Sequence, residues 1–317
     1  MIESIVSLGL PVDEKIELRK NRIIPEHIEE NAKRICIVTG THGDELEGQL
    51  VCYEMNRILR QNMEHLKGIV DIYPALNPLG IDTITRGIPG FELDMNRIFP
   101  GKKQGSMAEN IALAVFEDIK GADICIDIHA SNIFLREIPQ IRISEQTAKE
   151  LVPLARQLNV DFVWVHSAAT VLESTLAHSL NSVGTKTLVA EMGVGMRITK
   201  EYGRQLCEGI LSLMHHLGMW DGEITQVREP IVSTDGRVEF VNAAMGGVFI
   251  PAIEHCMHVT KGEHIGDIVN PLSGDVLVNI VSPCSGLVFT LREYPVVDEG
   301  SLIARILEGI GTENERD

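Results

Sequence analysis

The sequence predicts an α/β domain with helices on both faces of its sheet, followed by a small all-β domain. Two features of the pattern point to this. From residue 34 to about 217, near-continuous apolar runs alternate with segments whose apolar residues recur at helical spacing. Such runs belong to strands that are covered on both faces. After Gly222 the texture changes to short β-like runs separated by Gly, Pro, Asp and Ser, with no helix-length pattern between them. Composition agrees with a folded chain. Of 317 residues, 44% are hydrophobic and 23% charged, which excludes wholesale disorder and allows one large domain or two ordinary ones. The expected division is residues 1–222 and 223–317.

The elements follow in order. Residues 34–40 (RICIVTG) read as a buried strand, and 45–60 as a helix with Leu46, Leu50, Val51, Met55, Ile58 and Leu59 on its apolar side. Residues 69–75 (IVDIYPA) are strand-like again. The stretch 77–106, punctuated by Gly and Pro, reads as a loop too long for an ordinary connection, and such loops are usually functional. Next come a helix over 107–119, a strand over 122–129 and a helix over 145–158. A strand over 162–165, a helix over 172–180, a strand over 187–192 and a long amphipathic helix over 199–217 complete the first part. In the second part RVEFV, GVFI, VLVNIV, GLVFTL and SLIARI are the strand candidates.

A formal charge of −17 repels phosphate backbones and anionic membrane surfaces, so neither nucleic acid nor membrane is an expected partner. No apolar run approaches the roughly 20 residues of a membrane span. With no secretory pattern at the N-terminus, the expected location is the cytoplasm. Assembly into a homo-oligomer is compatible with the sequence. The six cysteines form no CxxC and do not cluster, so they read as small buried hydrophobes and not as disulfides or a sulfur metal site.

Four segments carry candidate chemistry. In Gly40-Thr41-His42-Gly43-Asp44-Glu45, His42 and Glu45 are three apart where a strand gives way to a helix, and both side chains can face one point. An imidazole and a carboxylate are a normal pair of zinc ligands, although a single HxxE is common by chance. In Asp127-Ile128-His129, at the end of another strand, Asp127 and His129 fall on one face. Carboxyl ends of parallel strands converge at one rim of an open sheet. There His42, Glu45 and His129 would form a two-His, one-carboxylate site with a fourth position open. Arg86 and the stretch Asp94-Met95-Asn96-Arg97 place two arginines in the long loop, a pattern suited to a carboxylate or a developing oxyanion. Glu191 closes an apolar run just before Gly193 and is a candidate general base.

Taken in order, GTHGDELEG, R…DMNRIFPG, DIH and EMG resemble the succinylglutamate desuccinylase/aspartoacylase family, itself similar to the zinc carboxypeptidases, over roughly residues 30–220. The resemblance implies a zinc carboxypeptidase-like mixed sheet and one zinc ion held by His42, Glu45 and His129. It implies Glu191 as the base, Arg86 as the donor to the oxyanion, and Asn96 and Arg97 as the grip on the substrate's α-carboxylate. It also implies Asp94, and after it Asp127, as acids that orient the ligand histidines. The activity implied is hydrolysis of an amide in a small N-acylated amino acid or similar amine.

One departure concerns the acyl group. Aspartoacylase-like members carry an arginine about ten residues before the base, but the stretch here is His178-Ser179-Leu180-Asn181-Ser182. A dicarboxylic acyl group then loses its expected partner unless Arg136, Arg142 or Arg197 replaces it, and acetyl fits better. The C-terminal part resembles a biotinyl/lipoyl-like barrel-sandwich. Residues 262–317 contain no lysine, so it is not expected to carry a lysine-linked cofactor. His255, His258 and His264 are expected to be exposed without forming a second metal site, and Tyr294 is a candidate to reach the catalytic site. The rival readings are a metallocarboxypeptidase acting on peptides and a non-catalytic binding protein.

Overall fold

A computed structural model describes residues 1–91, 93–167, 173–234 and 237–309. The first part contains β1 (Ile2–Gly9), β2 (Lys15–Ile23), β3 (Arg34–Thr39), α1 (Glu47–Gln61), β4 (Ile69–Tyr73), α2 (Pro78–Thr83) and α3 (Met107–Ile119). It continues with β5 (Ile124–His129), β6 (Leu135–Ser144), α4 (Ala148–Ala155), β7 (Phe162–His166), α5 (Leu176–Ser182), β8 (Lys186–Gly193) and α6 (Lys200–His216). After α6 come β9 (Ile231–Thr234), β10 (Val238–Asn242), β11 (Gly247–Pro251), β12 (His258–Val259) and β13 (His264–Asn270). The described chain closes with β14 (Asp275–Val281), β15 (Gly286–Arg292), β16 (Val296–Val297) and β17 (Leu302–Glu308).

Strand β3 shows why the sheet is covered on both faces. Ile35 and Ile37 enter one core with Val51, Met55 and Leu59 of α1. Their neighbours Cys36 and Val38 enter the opposite core, with Val115 and Phe116 of α3 and Leu180 of α5. A period of two therefore sends both kinds of position into apolar surroundings, and the run has no polar side. The helix α3 is fixed at its start by a reciprocal cap. Ser106 Oγ accepts from Glu109 N at 3.2 Å, and Glu109 Oε2 accepts from Ser106 N at 2.7 Å. Such a cap stabilises a helix by about 1 kcal/mol.

The large sheet is mixed. Strands β4, β3, β5 and β8 run parallel in that order, and β6 pairs antiparallel with β8. The sheet does not end there, because β15 pairs with β6 and β17 and β10 extend it further. A second sheet has the order β14-β13-β11-β16. Phe249, Ile265 and Ile268 of that sheet share a core with Val288, Ile303 and Ile306 of the first. The late strands thus both pack as a two-sheet unit and continue the large sheet edge to edge.

Several expected elements shift. The N-terminal hairpin β1–β2 and strand β6 escaped the pattern reading. The stretch 77–106 is not structureless, since it contains α2 and a 3-10 turn over Met95–Arg97. The helix expected over 145–158 is the shorter α4. The one expected from 172 begins at Leu176, and residue 172 lies outside the described residues. Five cysteines are buried as expected, but Cys256 is exposed. Among the described residues no helix is long and apolar enough to cross a membrane.

Candidate metal centre and catalytic cavity

His42 and Glu45 stand in the turn that joins β3 to α1, where a strand gives way to a helix as expected, although the helix starts at Glu47 and not at Glu45. Glu45 N donates to His42 O at 3.4 Å, and this tight turn gives the two side chains a common direction. Gly43 is required because a Cβ there would fall 1.9 Å from the Gly80 carbonyl carbon of α2. His129 ends β5, the strand beside β3, and reaches the same point from the sheet rim.

The three side chains are buried and converge, with one ligand atom of each within 4.8 Å of the others. Nδ1 of His42 lies 2.7 Å from Glu45 Oε1, and Nδ1 of His129 lies 2.9 Å from Glu45 Oε2. The far ring atoms meet other carboxylates. Nε2 of His42 is 3.0 Å from Asp94 Oδ1, and Nε2 of His129 is 3.2 Å from Asp127 Oδ2. Carboxylates at both outer nitrogens favour N–H there and leave each Nδ1 lone pair aimed inward, as a ligand histidine requires. Asp94 holds the His42 ring by a hydrogen bond, while Asp127 stands at ion-pair distance from the His129 ring.

The charges give an independent test of what the cluster wants. Burial disfavours a charged imidazole at His42, but Asp94 and Glu45 outweigh it and raise its pKa. The same burial acts on His129, where Asp127 and Glu45 raise the pKa well above its ordinary value. Burial pushes Glu45 up, yet His129 and His42 hold it well below the usual carboxylate range. The cluster demands positive charge between its nitrogens and its carboxylate, and inward Nδ1 lone pairs beside a carboxylate fit a divalent cation.

Around this cluster lies a cavity of about 770 Å3 whose wall includes Arg86, Asn96, Arg97 and Glu191. Arg86 Nη1 donates to Glu45 Oε1 at 2.9 Å and Nη2 to Asp94 Oδ2 at 3.3 Å. Asn96 is pinned by its side-chain oxygen, which accepts from Leu176 N at 2.9 Å at the start of α5. Arg97 Nη1 donates to Asn96 O at 2.8 Å, and its side chain is about half exposed at the cavity rim. Glu191 sits beside His129 in the β5–β8 register. Burial pushes its carboxyl up to about 6, against the opposing pull of the Arg142 guanidinium. A carboxyl poised there can accept and return a proton near neutral pH. Gly193 turns the chain directly after it at φ +69°, where a Cβ would strike Glu47 Oε1.

The structure brings together every residue singled out for the site, and it distributes the remaining candidates. Arg142 lines the cavity and contacts Glu191 Oε1 at 3.2 Å. Arg136 instead pairs with Glu293 at 3.2 Å, and Arg197 donates to Met196 O. Tyr294 packs edge-on against Phe134, with ring centroids 5.6 Å apart, and it is Phe134 that lines the cavity. His255 is part-buried with Nε2 3.2 Å from Phe289 O, so it is not the exposed side chain expected, whereas His264 pairs with Asp267 at the surface. Among the described residues only His42, Glu45 and His129 form a metal-capable group. Among the charged wall residues that went unread in the sequence are Glu137 and Arg305. Each lies inside a β-strand, and only pairing across strands brings the two together.

Residues 31–217 match the family model of the succinylglutamate desuccinylase/aspartoacylase catalytic domain. An N-alpha-acetyl-L-2,4-diaminobutyric acid deacetylase of Halomonas elongata is 24% identical over 284 residues, covering 86% of this chain and 82% of that one. Among solved structures, the product-bound ectoine utilization protein EutE of Ruegeria pomeroyi superposes with a TM-score of 0.82 at 21% identity, covering 97% of this chain and 95% of that one. A succinylglutamate desuccinylase/aspartoacylase of Rhodobacter sphaeroides gives 0.81 at 22% identity with the same coverage. The fold is common to these proteins. The match over most of the catalytic part makes this chain a member of the succinylglutamate desuccinylase/aspartoacylase family of amide-hydrolysing deacylases.

Proposed function

We propose that this protein is a zinc-dependent deacylase that cleaves the amide bond of a small N-acylated amino acid or similar amine, with acetyl as the acyl group. The observation that supports it best is the convergence of His42, Glu45 and His129 in one cavity with Glu191, Arg86 and Arg97. Zinc held by the three ligands would polarise the scissile carbonyl and make water a nucleophile at neutral pH. Arg86, tied to Glu45 and Asp94, donates to the oxygen that gains charge as water adds to the acyl carbon. Such a donor contributes about 3–4 kcal/mol to the barrier reduction. Glu191 takes the proton from the attacking water and delivers it to the amine nitrogen as the C–N bond breaks. Asp94 and Asp127 hold the two ligand rings.

Acetyl is favoured by the charge of the wall. Helix α5 presents His178, Asn181 and Ser182 to the cavity, not an arginine. The arginines that do line it deeper, Arg142 and Arg305, are paired with Glu137. Among the described residues no unpaired guanidinium is left there for a second substrate carboxylate. The name of the Halomonas relative, an N-acetyl-amino-acid deacetylase, points the same way.

The test is amine release from N-acetyl and N-succinyl amino acids and from dipeptides, before and after the metal is stripped and zinc restored. N-acetyl substrates are expected to turn over fastest, with activity lost on chelation and recovered with zinc. Undiminished release from the stripped protein would overturn the metal role. A preference for dipeptides would favour a carboxypeptidase instead.

Arg97 carries a prediction of its own. A bidentate guanidinium–carboxylate bond holds the substrate equally in ground and transition states. Arg97→Lys keeps the charge and loses the planar fork. KM for N-acetyl amino acids is expected to rise by about 10-fold, with kcat changed less. The α-amide analogue, poor from the outset, should be little affected by the substitution. Equal losses on the acid and the amide, measured side by side, would remove Arg97 from carboxylate binding.

A further inference from the structure

We propose that Arg305, from the last strand of the chain, is a positioning residue for Glu191, acting through Glu137 and Arg142. This rests on the reading of Glu191 as the base, and it makes the C-terminal strands part of the catalytic apparatus.

Glu137 lies on β6 with no exposed side-chain surface. A carboxylate so placed costs several kcal/mol unless opposite charge and hydrogen bonds meet it. Three groups do. Arg142 Nη2 donates to Oε1 at 2.9 Å and to Oε2 at 2.8 Å, Arg305 Nη1 donates to Oε1, and Thr290 Oγ1 donates to Oε1 at 3.4 Å. Two of the donors come from the C-terminal strands, and the register explains why. Glu137 pairs with Thr290 across β6–β15, and Thr290 pairs with Arg305 across β15–β17. The three form one row running across three strands.

Arg142 needs a local irregularity to join them. Positions 137 and 142 are five apart, and in a regular strand they would point to opposite faces. The β6–β8 pairing shifts by one residue between Glu137 and Gln140. Such a bulge inserts one residue and restores a common face. The indole of Trp164, the register partner of Arg142 on β7, lies beneath both guanidiniums, at 5.6 Å from Arg142 and 5.5 Å from Arg305. The bulge and the ring together hold the two arginines side by side.

The consequence for chemistry lies in the free half of Arg142. Its Nη2 serves Glu137, and its Nη1 lies 3.2 Å from Glu191 Oε1. Two carboxylates compete for one planar fork. Arg305 supplies a second cation to Glu137, and this leaves Nη1 of Arg142 for Glu191. Without Arg305, the fully buried Glu137 would draw Arg142 wholly to itself, and the base would lose the partner that fixes its carboxylate.

The experiment compares Arg305→Met and Arg305→Lys in the parent and in a Glu191→Gln background, with the zinc-loaded full chain and an N-acetyl amino acid. Arg305→Met is expected to lower kcat by about 10–100-fold, the range typical of lost outer hydrogen-bond partners, with zinc content unchanged. KM should stay within about threefold, since no substrate contact is lost. Arg305→Lys should recover part of the loss. In the Glu191→Gln background Arg305→Met should change the residual rate by less than about twofold, because residues that act as one unit are not additive. An unchanged kcat, a rise in KM alone, or an equal further loss in the Glu191→Gln background would each overturn the proposal. If Arg305→Met does not fold, Arg305→Gln keeps a donor for Glu137 without the charge and is read by the same comparisons. Glu191→Gln at near-parent activity would instead overturn the base assignment, so the two failures are distinct.

Discussion

Glu191→Gln is expected to keep fold and metal and to lose about 10²–10⁴-fold in kcat. The substitution is nearly isosteric. Its remaining carbonyl oxygen can still accept from Arg142, which lies 3.2 Å from Oε1 in the parent. What disappears is the ability to take a proton. The loss should therefore fall on kcat, and KM should move little, because a proton acceptor contributes in the transition state and not in substrate binding. Two controls separate this from a packing defect. The midpoint of thermal unfolding should stay near that of the parent, and zinc content should be unaltered, since Glu191 is not one of the three converging ligand residues. Turnover within a few-fold of the parent would remove Glu191 from the proton-transfer role, whatever the metal content.

The parts of this molecule that the sequence made legible share a physical cause. Strands β3 and β5 send apolar residues into cores on both faces, and β8 sends Leu188, Ala190 and Met192 into one of them, so each carries a marked apolar run. The candidate ligands and base stand where those runs stop, at His42, His129 and Glu191. A polar residue closing an apolar run is visible in one dimension. Strand β6 was not visible, because Arg136, Glu137, Gln140 and Arg142 interrupt its apolar positions and Pro139 sits inside it. Proline inside a run argues against a strand. Yet two of those interruptions, Glu137 and Arg142, line the cavity. Glu137 finds its partner Arg305 168 residues later, through two strand pairings. No local pattern encodes such a pairing. The long loop supplies Arg86, Asn96 and Arg97 to the cavity wall, but its internal order, with α2 and the turn that carries Asn96, depends on tertiary bonds such as Leu176 N to Asn96 Oδ1. The C-terminal strands illustrate the same limit. Their alternation marked them as β, while their continuation of the catalytic sheet beyond β6 follows from edge pairing that alternation does not specify.

His42→Ala is expected to weaken metal binding by more than 100-fold. The ring is held between Glu45 and Asp94, with Nδ1 and Nε2 at 2.7 and 3.0 Å from their oxygens. Its removal takes away one of the three residues of the metal-capable group and leaves Asp94 without its ring partner. Loss of an outer partner alone usually costs 10–100-fold in affinity or activity, so Asp94→Asn sets the comparison. That variant keeps all three ligands and weakens only the carboxylate that fixes the tautomer, and it should fall inside that range. His42→Ala should fall beyond it, since a two-ligand site of Glu45 and His129 retains only part of the coordination. Arg86 adds to the difference, because its guanidinium lies 2.9 Å from Glu45 Oε1 and can pair with that carboxylate where a cation is lost. Zinc affinity measured by competition with a chelating dye, on all three proteins at one pH, reads the ranking directly. Full zinc occupancy in His42→Ala at parent affinity would show that the metal sits elsewhere. An Asp94→Asn loss equal to that of His42→Ala would make Asp94 as important to the metal as a ligand, and the outer role assigned to it would be wrong.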